Sequence, residues 1–333
     1  MAVRVGIIAN PAAGKDVRRI VTEATIVTAP EKVALLRRAL AGLAATPVDE
    51  VLYLRDGMRL VERALDGLPQ ARRPSFAMHA LDLEIRHSAR DTATAAALLA
   101  RADVGGVLVI GGDGTNRVVA GEIGEIPLLP VSTGTNNAFP HWTEATAAGL
   151  ALGFAAAGGV GDAVLRRKRL EIRRGPQLLA IALVDAVVLR EGSGAAGAVW
   201  DPGEVEMIIA TQGLPETVGW SAAVGAAMPV GVAARYGALL RLDGTSERRL
   251  SCPIAPGLIA ELGVGELRRL PLGEPVPVRG PRTIALDGEP LVRLAAGEEV
   301  GIAVTERGPN VIDIALALRL AAEAGRFWRG PAR

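Results

Sequence analysis

Apolar residues follow two different rhythms along this chain, and the change falls near Gly158–Asp162. Before it, short apolar runs alternate with stretches of helical period. Val3–Ala9 runs into Asn10-Pro11, the pattern of a buried strand that stops at a turn. Glu31–Leu43 carries Val33, Leu36, Leu40 and Leu43 at helical spacing. Glu50–Leu54 predicts a strand and Met58–Leu68 a helix. Leu81, Leu83 and Ile85 alternate with Asp82, Glu84 and Arg86, which predicts a half-exposed strand and puts His79 on its packed face. Ser88, with Asp91 three residues on, predicts a capped helix running to Arg101. Val107–Ile110 and Pro127–Ser132 are strands apolar on both faces, with a helix expected from Asn116 between them. Such strands alternating with helices predict a parallel sheet covered on both sides.

After Gly158 the pieces become strand-like and are punctuated by Pro, Gly and Asp-Gly: Arg167–Arg173, Leu178–Leu189, Glu204–Thr211, Ala238–Leu242, Arg249–Ile254, Arg282–Leu286 and Val300–Thr305. One helix is expected near Val218–Ala227. The helical period returns in Asp313–Phe327, which is expected to pack back on the first domain. The reading is thus an α/β domain over residues 1–157, joined by 313–333, and a β-rich domain over 158–312.

Composition narrows the function. The 333 residues are 50% hydrophobic, enough for well-filled cores. Lys+Arg total 37 against 36 Asp+Glu, and this balance argues against a nucleic-acid binder. One cysteine, Cys252, and three dispersed histidines argue against an intrachain disulfide and a zinc enzyme. The opening apolar run is too short for a signal peptide, and the Ala/Gly-rich uncharged run near 145–161 is too short to span a membrane. A cytoplasmic protein is expected.

The strongest chemical signal is Gly111-Gly112-Asp113-Gly114-Thr115, which follows an apolar strand and opens a helix. Glycines there let a ligand approach the backbone, and helix N-terminal amides favour phosphate. The turn also falls at the carboxyl end of a parallel strand, where open α/β sheets bind ligands. Asp113 then suits Mg²⁺ binding or deprotonation of an attacking hydroxyl, or simply caps the helix. Asn10-Pro-Ala-Ala-Gly14-Lys15 follows another strand, and its lysine would add positive charge; it lacks P-loop spacing. Ser132-Thr133-Gly134-Thr135-Asn136-Asn137 follows a third strand and offers hydroxyls and amides suited to a nucleotide.

These segments, in this order and with Asp287-Gly288-Glu289 after them, resemble the NAD kinase and diacylglycerol kinase superfamily. The forms ANPAAGKD, GGDGTNRVVA and PLLPVSTGTNNAFP are most similar to its ATP-NAD kinase-like acetoin-catabolism protein X branch. The resemblance spans nearly the whole chain. It implies an α/β nucleotide-binding domain followed by a β-rich domain, with the site in the cleft. It implies ATP with Mg²⁺ and a nucleotide or small-molecule acceptor, NAD first. Asp113 would be the central carboxylate and metal ligand. Gly111, Gly112, Gly114 and Thr115 would cradle phosphate, and Asn10, Gly14, Lys15, Asn116, Thr133, Gly134, Thr135, Asn136 and Asn137 would complete the nucleotide site. In lipid-kinase relatives the carboxylates matching Asp287 and Glu289 take part in catalysis, whereas Asp-Gly alone reads as a two-residue hairpin turn. Where NAD kinases carry an Asn-Glu pair that holds the acceptor, this chain has Val184-Asp185, and Thr217–Ala222 lacks their tyrosine.

A phosphotransferase to a hydroxyl is therefore the leading expectation. The alternatives are a lipid-type kinase, for which no amphipathic basic helix is evident, and a catalytically silent nucleotide-binding regulator linked to acetoin catabolism. A homo-oligomer is expected, with no membrane or nucleic-acid partner. Arg166–Arg169 is read as a solvated strand face, Trp200 and Trp220 as core or rim, Cys252 as structural, and His141 as a residue near the ligand loop.

Overall fold

The computed structural model describes residues 2–13, 23, 27–133, 137–193, 199 and 201–328. Its first layer follows the alternation: β1 (Arg4–Ala9), α1 (Ala29–Ala44), β2 (Glu50–Tyr53), α2 (Leu60–Asp66), β3 (Ala77–Ala80), α3 (Ala89–Arg101), β4 (Val107–Gly111), α4 (Asp113–Glu122), β5 (Leu128–Ser132), α5 (Ala145–Ala156) and β6 (Val164–Arg166). The strand-rich part holds β7 (Arg169–Arg174), β8 (Gln177–Ala182), β9 (Asp185–Leu189), β10 (Val205–Ala210), α6 (Trp220–Ala227), β11 (Tyr236–Leu242), β12 (Arg249–Ala255) and β13 (Leu258–Pro271). It continues through β14 (Val276–Arg279), β15 (Arg282–Leu286), β16 (Glu289–Leu294) and β17 (Glu299–Thr305) before β18 (Asn310–Ile312) and α7 (Ile314–Glu323).

The first sheet has the order β3-β2-β1-β4-β5-β18-β6, parallel except where β6 meets β18. Residues of α1, α2, α5 and α7 bury one face of it, and residues of α3 and α4 the other. This is why β1, β4 and β5 are apolar almost throughout. The strand order reverses between β1 and β4, so the sheet has its switch point there. In the strand-rich part a seven-stranded sheet, β12-β13-β11-β10-β9-β15-β16, and a four-stranded sheet, β14-β17-β7-β8, enclose one apolar core. The other face of the larger sheet is covered by Trp220, Ala223 and Val224 of α6. The chain leaves the first sheet after Arg166 and returns to it at Asn310, and α7 then packs against α5.

Several elements depart from the sequence reading. The third strand is Ala77–Ala80, not Leu81–Arg86. The ladder ends where β2 ends, with Tyr53 opposite Ala80, so the alternating residues beyond run past the sheet without a partner strand. Leu81, Leu83 and Ile85 still pack on the core, while His79 is exposed. The expected strand Leu178–Leu189 is broken at Leu183-Val184 into β8 and β9. The Arg166–Arg169 run is not a solvated face throughout. Lys168 is buried, its Nζ donating to the carbonyls of Gly231 at 3.3 Å and Tyr236 at 2.7 Å, and burial lowers its pKa to about 8. Cys252 is buried and its thiol is pushed up to about 11. Trp220 is core, its indole N–H donating to the Val199 carbonyl, and Trp200 lies outside the described residues.

Candidate functional site

The Gly111–Thr115 turn sits at the switch point, beside the end of β1. Gly112 caps α4 with extended backbone, so the helix begins at Asp113 rather than at Asn116. Two of the glycines answer to close approach. A Cβ on Gly111 would lie 2.7 Å from the Thr115 side chain, and one on Gly114 would lie 2.7 Å from Oε1 of Glu289. Thr115 is pinned in turn by Asn10, whose Nδ2 donates to its Oγ1 at 2.9 Å, and the Asn10 carboxamide oxygen accepts from Ala12. The first two turns are thereby joined across β1 and β4.

Asp113 does not cap its own helix. Its carboxylate accepts the backbone N–H of Phe139 at 2.9 Å and that of Ala138 at 3.1 Å, so it ties α4 to the chain after β5. Asn137 donates to Oγ of Ser132, and the Thr133 N–H donates to the Gly111 carbonyl at 3.2 Å. Two buried polar atoms next to the turn, Oδ1 of Asn116 and Oγ1 of Thr133, have no hydrogen-bond partner among the described residues. Gly14, Lys15, Gly134, Thr135 and Asn136 lie outside the described residues.

The strand-rich part supplies the opposite wall. Asp287 and Gly288 both have positive φ (+50° and +83°) and form the two-residue turn between β15 and β16. Asp287-Gly288 is thus a two-residue hairpin turn, and it also borders the narrow space that Asp113 lines. The Asp287 carboxylate is sealed from solvent and accepts the N–H groups of Leu183 (3.0 Å), Val184 (2.8 Å) and Asp185 (3.3 Å). Those three donors interrupt the ladder and divide β8 from β9. Burial raises the carboxyl above its ordinary value, against the pull of Arg117 and these N–H groups.

Arg117, one turn into α4, joins the walls. Its guanidinium donates to the Leu286 carbonyl and to Oε2 of Glu289, and lies 3.8 Å from Asp287. Gln212 makes a second bridge, donating to the Ala138 carbonyl at 2.7 Å. Between the walls, Asp113, Asp185, Ser221, Asp287 and Gly288 line a narrow space of about 20 Å³, room for a water or two. A larger cavity of about 450 Å³ opens at the carboxyl ends of β1 and β2, against Asn10, Leu54, Met58 and the start of α3.

Asp113, Asp185 and Asp287 line one narrow space, and Glu289 stands beside it on Arg117. Sequence reasoning missed Arg117 and Lys32. Lys32 is buried and donates from Nζ to the carbonyls of Asn10, Pro11 and Ala13, at 3.1, 3.1 and 2.7 Å, and so supports the first turn from below. Its signal was rarity: the chain has three lysines, and the others are Lys15 and Lys168. Arg117 places a cation just past the first turn of a helix, near the end where the dipole disfavours one, which marks it as serving a partner elsewhere.

Comparison with known proteins agrees with this architecture. The ATP-NAD kinase N-terminal domain model matches residues 5–158, so the α/β part is an NAD kinase-like domain. The acetoin catabolism protein X C-terminal domain model matches residues 168–307. Acetoin catabolism protein X of Cupriavidus necator is 36% identical over 341 residues, covering 97% of this chain and 92% of that protein. The chain belongs to the acetoin catabolism protein X family, and it joins an NAD kinase-like domain to a strand-rich one.

Proposed function

We propose that the protein is an ATP-dependent phosphotransferase that phosphorylates a hydroxyl group, with NAD the first candidate acceptor. The observation that carries this is the place of Asp113: at the switch point, on the first turn of α4, facing Asp185 and the Asp287-Gly288 turn across a narrow cleft.

The residues fit a nucleotide with Mg²⁺. The 450 Å³ cavity has the size and the apolar walls of a small-molecule pocket, and it adjoins the Asn10–Thr115 contact, so a base and ribose there would direct phosphates toward Gly111–Thr115. Oδ1 of Asn116 and Oγ1 of Thr133 are the orphaned polar atoms that a bound polar group would satisfy. Three aspartates line the narrow space and Glu289 stands beside it, so a phosphate bound there would call for a bridging cation. Among the described residues, no group of three or more His, Cys, Asp or Glu is arranged to hold an ion alone. Asp113 would be the residue that holds Mg²⁺, and the ion would supply charge neutralisation for the phosphates. Bound ATP with Mg²⁺ would supply the phosphoryl group and its charge neutralisation. Asp113 orients the acceptor hydroxyl and takes its proton, and Arg117 holds the Glu289 side of the cleft at its fixed distance.

A specific observation favours a second reading. Asp113 already accepts two backbone N–H groups, the work of a structural carboxylate, and a nucleotide-binding protein without turnover would look the same. Phosphorus NMR of the protein with MgATP and NAD separates the two. New phosphomonoester and ADP signals in step support the kinase, and tight nucleotide binding with no product over hours supports the silent protein. Among the described residues no helix is long and apolar enough to cross a membrane.

A further inference from the structure

A separate cavity of about 230 Å³ lies where the first sheet splays. β5 and β18 share one register pair, Leu128 with Val311, after which β18 ends and Asp313 caps α7. β5 runs on through Pro130, which has no N–H to offer a neighbour, and the chain from Phe139 to Thr143 closes the gap from the side. Leu129, Phe139, Val311 and Ile312 give the cavity buried apolar walls.

One guanidinium is set into this apolar lining. Arg167 is half-buried, and among the described residues its side chain has no hydrogen-bonded or ion-paired partner. Burial lowers its pKa, with the charge of Asp313 acting in the opposite sense. Asp313 is the other charged group of the lining, and its Oδ1 is committed to the Leu316 N–H at 2.9 Å. His141 stands at the mouth, made less basic by burial and by Arg167. The Trp142 indole, 71% exposed, forms the rim. A guanidinium carries five N–H donors in a planar fork, and withdrawing it from water without a partner is costly. That fork matches a carboxylate, while the apolar walls require an organic body beside it.

We propose that this cavity binds a small organic carboxylate, with its oxygens on Arg167 and its hydrocarbon part against Leu129, Phe139 and Ile312. Phe139 makes the site relevant to the cleft. Its side chain lines the cavity, and its backbone N–H is the 2.9 Å donor to Asp113. The carbonyl of His141 likewise accepts the N–H of Ser132, at the end of β5. An occupied cavity would hold in place the segment that positions Asp113.

Calorimetric titration of the full-length protein with sodium butyrate, 1-butanol and inorganic phosphate tests this. Butyrate should bind saturably, at least about tenfold tighter than either control, and Arg167→Gln should weaken it by at least about tenfold. Quenching of tryptophan emission by butyrate should disappear in Trp142→Phe. No saturable heat with butyrate up to about 10 mM, equal binding of butanol or phosphate, or unchanged affinity in a folded Arg167→Gln protein would each overturn the assignment. The comparison with butanol needs no variant and decides the matter even if Arg167→Gln does not fold.

Discussion

Two aspartates face the same cleft and are built in opposite ways. Asp113 is placed by its own stretch of chain: a buried strand, two glycines and a helix start, with N–H donors 25 and 26 residues further on. Asp287 stands on a two-residue turn and draws its donors from residues 102 to 104 positions earlier. As whole residues the two are exposed alike, 9% and 8%, but none of that surface belongs to the Asp287 side chain. The difference separates roles. A carboxylate whose side chain is fully sealed suits setting the distance between two walls, and Asp287 meets that description. We assign Asp113 the proton transfer and Asp287 the positioning of the hairpin.

Removal of each carboxylate should break the comparison most visibly. Asp287→Ala leaves three N–H groups without their acceptor and removes the buried charge beside Arg117, which keeps the Leu286 carbonyl and Glu289. A loss of about 3–5 kcal/mol is expected in urea unfolding, the cost of stripping one partner from a buried charged network. Asp113→Asn keeps an oxygen acceptor for Phe139, so less than about 1 kcal/mol should be lost. Its phosphoryl transfer should instead fall by about 10²-fold or more, because a carboxamide cannot accept the proton. If the two variants lose stability alike, the division of roles fails.

The glycines sharpen the same contrast on a smaller scale. Gly111→Ala drives a Cβ to 2.7 Å from Cβ and Oγ1 of Thr115, atoms that the short side chain cannot move far, and about 1–3 kcal/mol should be lost. Gly114→Ala meets the end of the Glu289 side chain, which is 56% exposed and free to swing. Less than about 1 kcal/mol is expected there, with the Arg117–Glu289 contact displaced. Thermal melting of both variants, side by side, checks the order.

A last effect, read as a slope with pH and not at a single pH, concerns Lys168. Its folded pKa of about 8 lies below the ordinary value of 10.5. Between those values the unfolded chain binds the proton and the folded chain releases it, so stability from this group rises with pH across that window and is level below it. Urea midpoints taken from pH 7 to 10.5 should show a rise of about 1 kcal/mol per pH unit in wild type relative to Lys168→Met. A flat difference would show that the buried ammonium keeps its ordinary pKa.

Much of the first wall was legible in the sequence, because it is local. The all-apolar runs, the glycines and Ser88 with Asp91 act over a few residues, and each forms the element its pattern implies. The second wall was legible as a motif but not as a mechanism. Nothing near Asp287 in sequence announces that its acceptor atoms divide β8 from β9, since the donors lie over a hundred residues away. Arg117 escaped notice for the same reason, its partners being on the hairpin. The third strand was misplaced because alternation reports which side is apolar and not whether a neighbouring strand is present to pair. The lysines teach a related lesson. In a chain whose cations are almost all arginine, Lys32 and Lys168 are both buried among backbone carbonyls, where a compact ammonium fits and a planar fork does not.

The central claim is that Asp113 moves a proton during phosphoryl transfer. It is tested most directly by initial rates of wild type and Asp113→Asn with saturating MgATP and NAD, alongside ATP affinity measured for both proteins. The account expects ATP affinities within about threefold of each other and rates differing by about 10²-fold or more. Equal rates in the two proteins, or a wild type that binds ATP and forms no product, would contradict it.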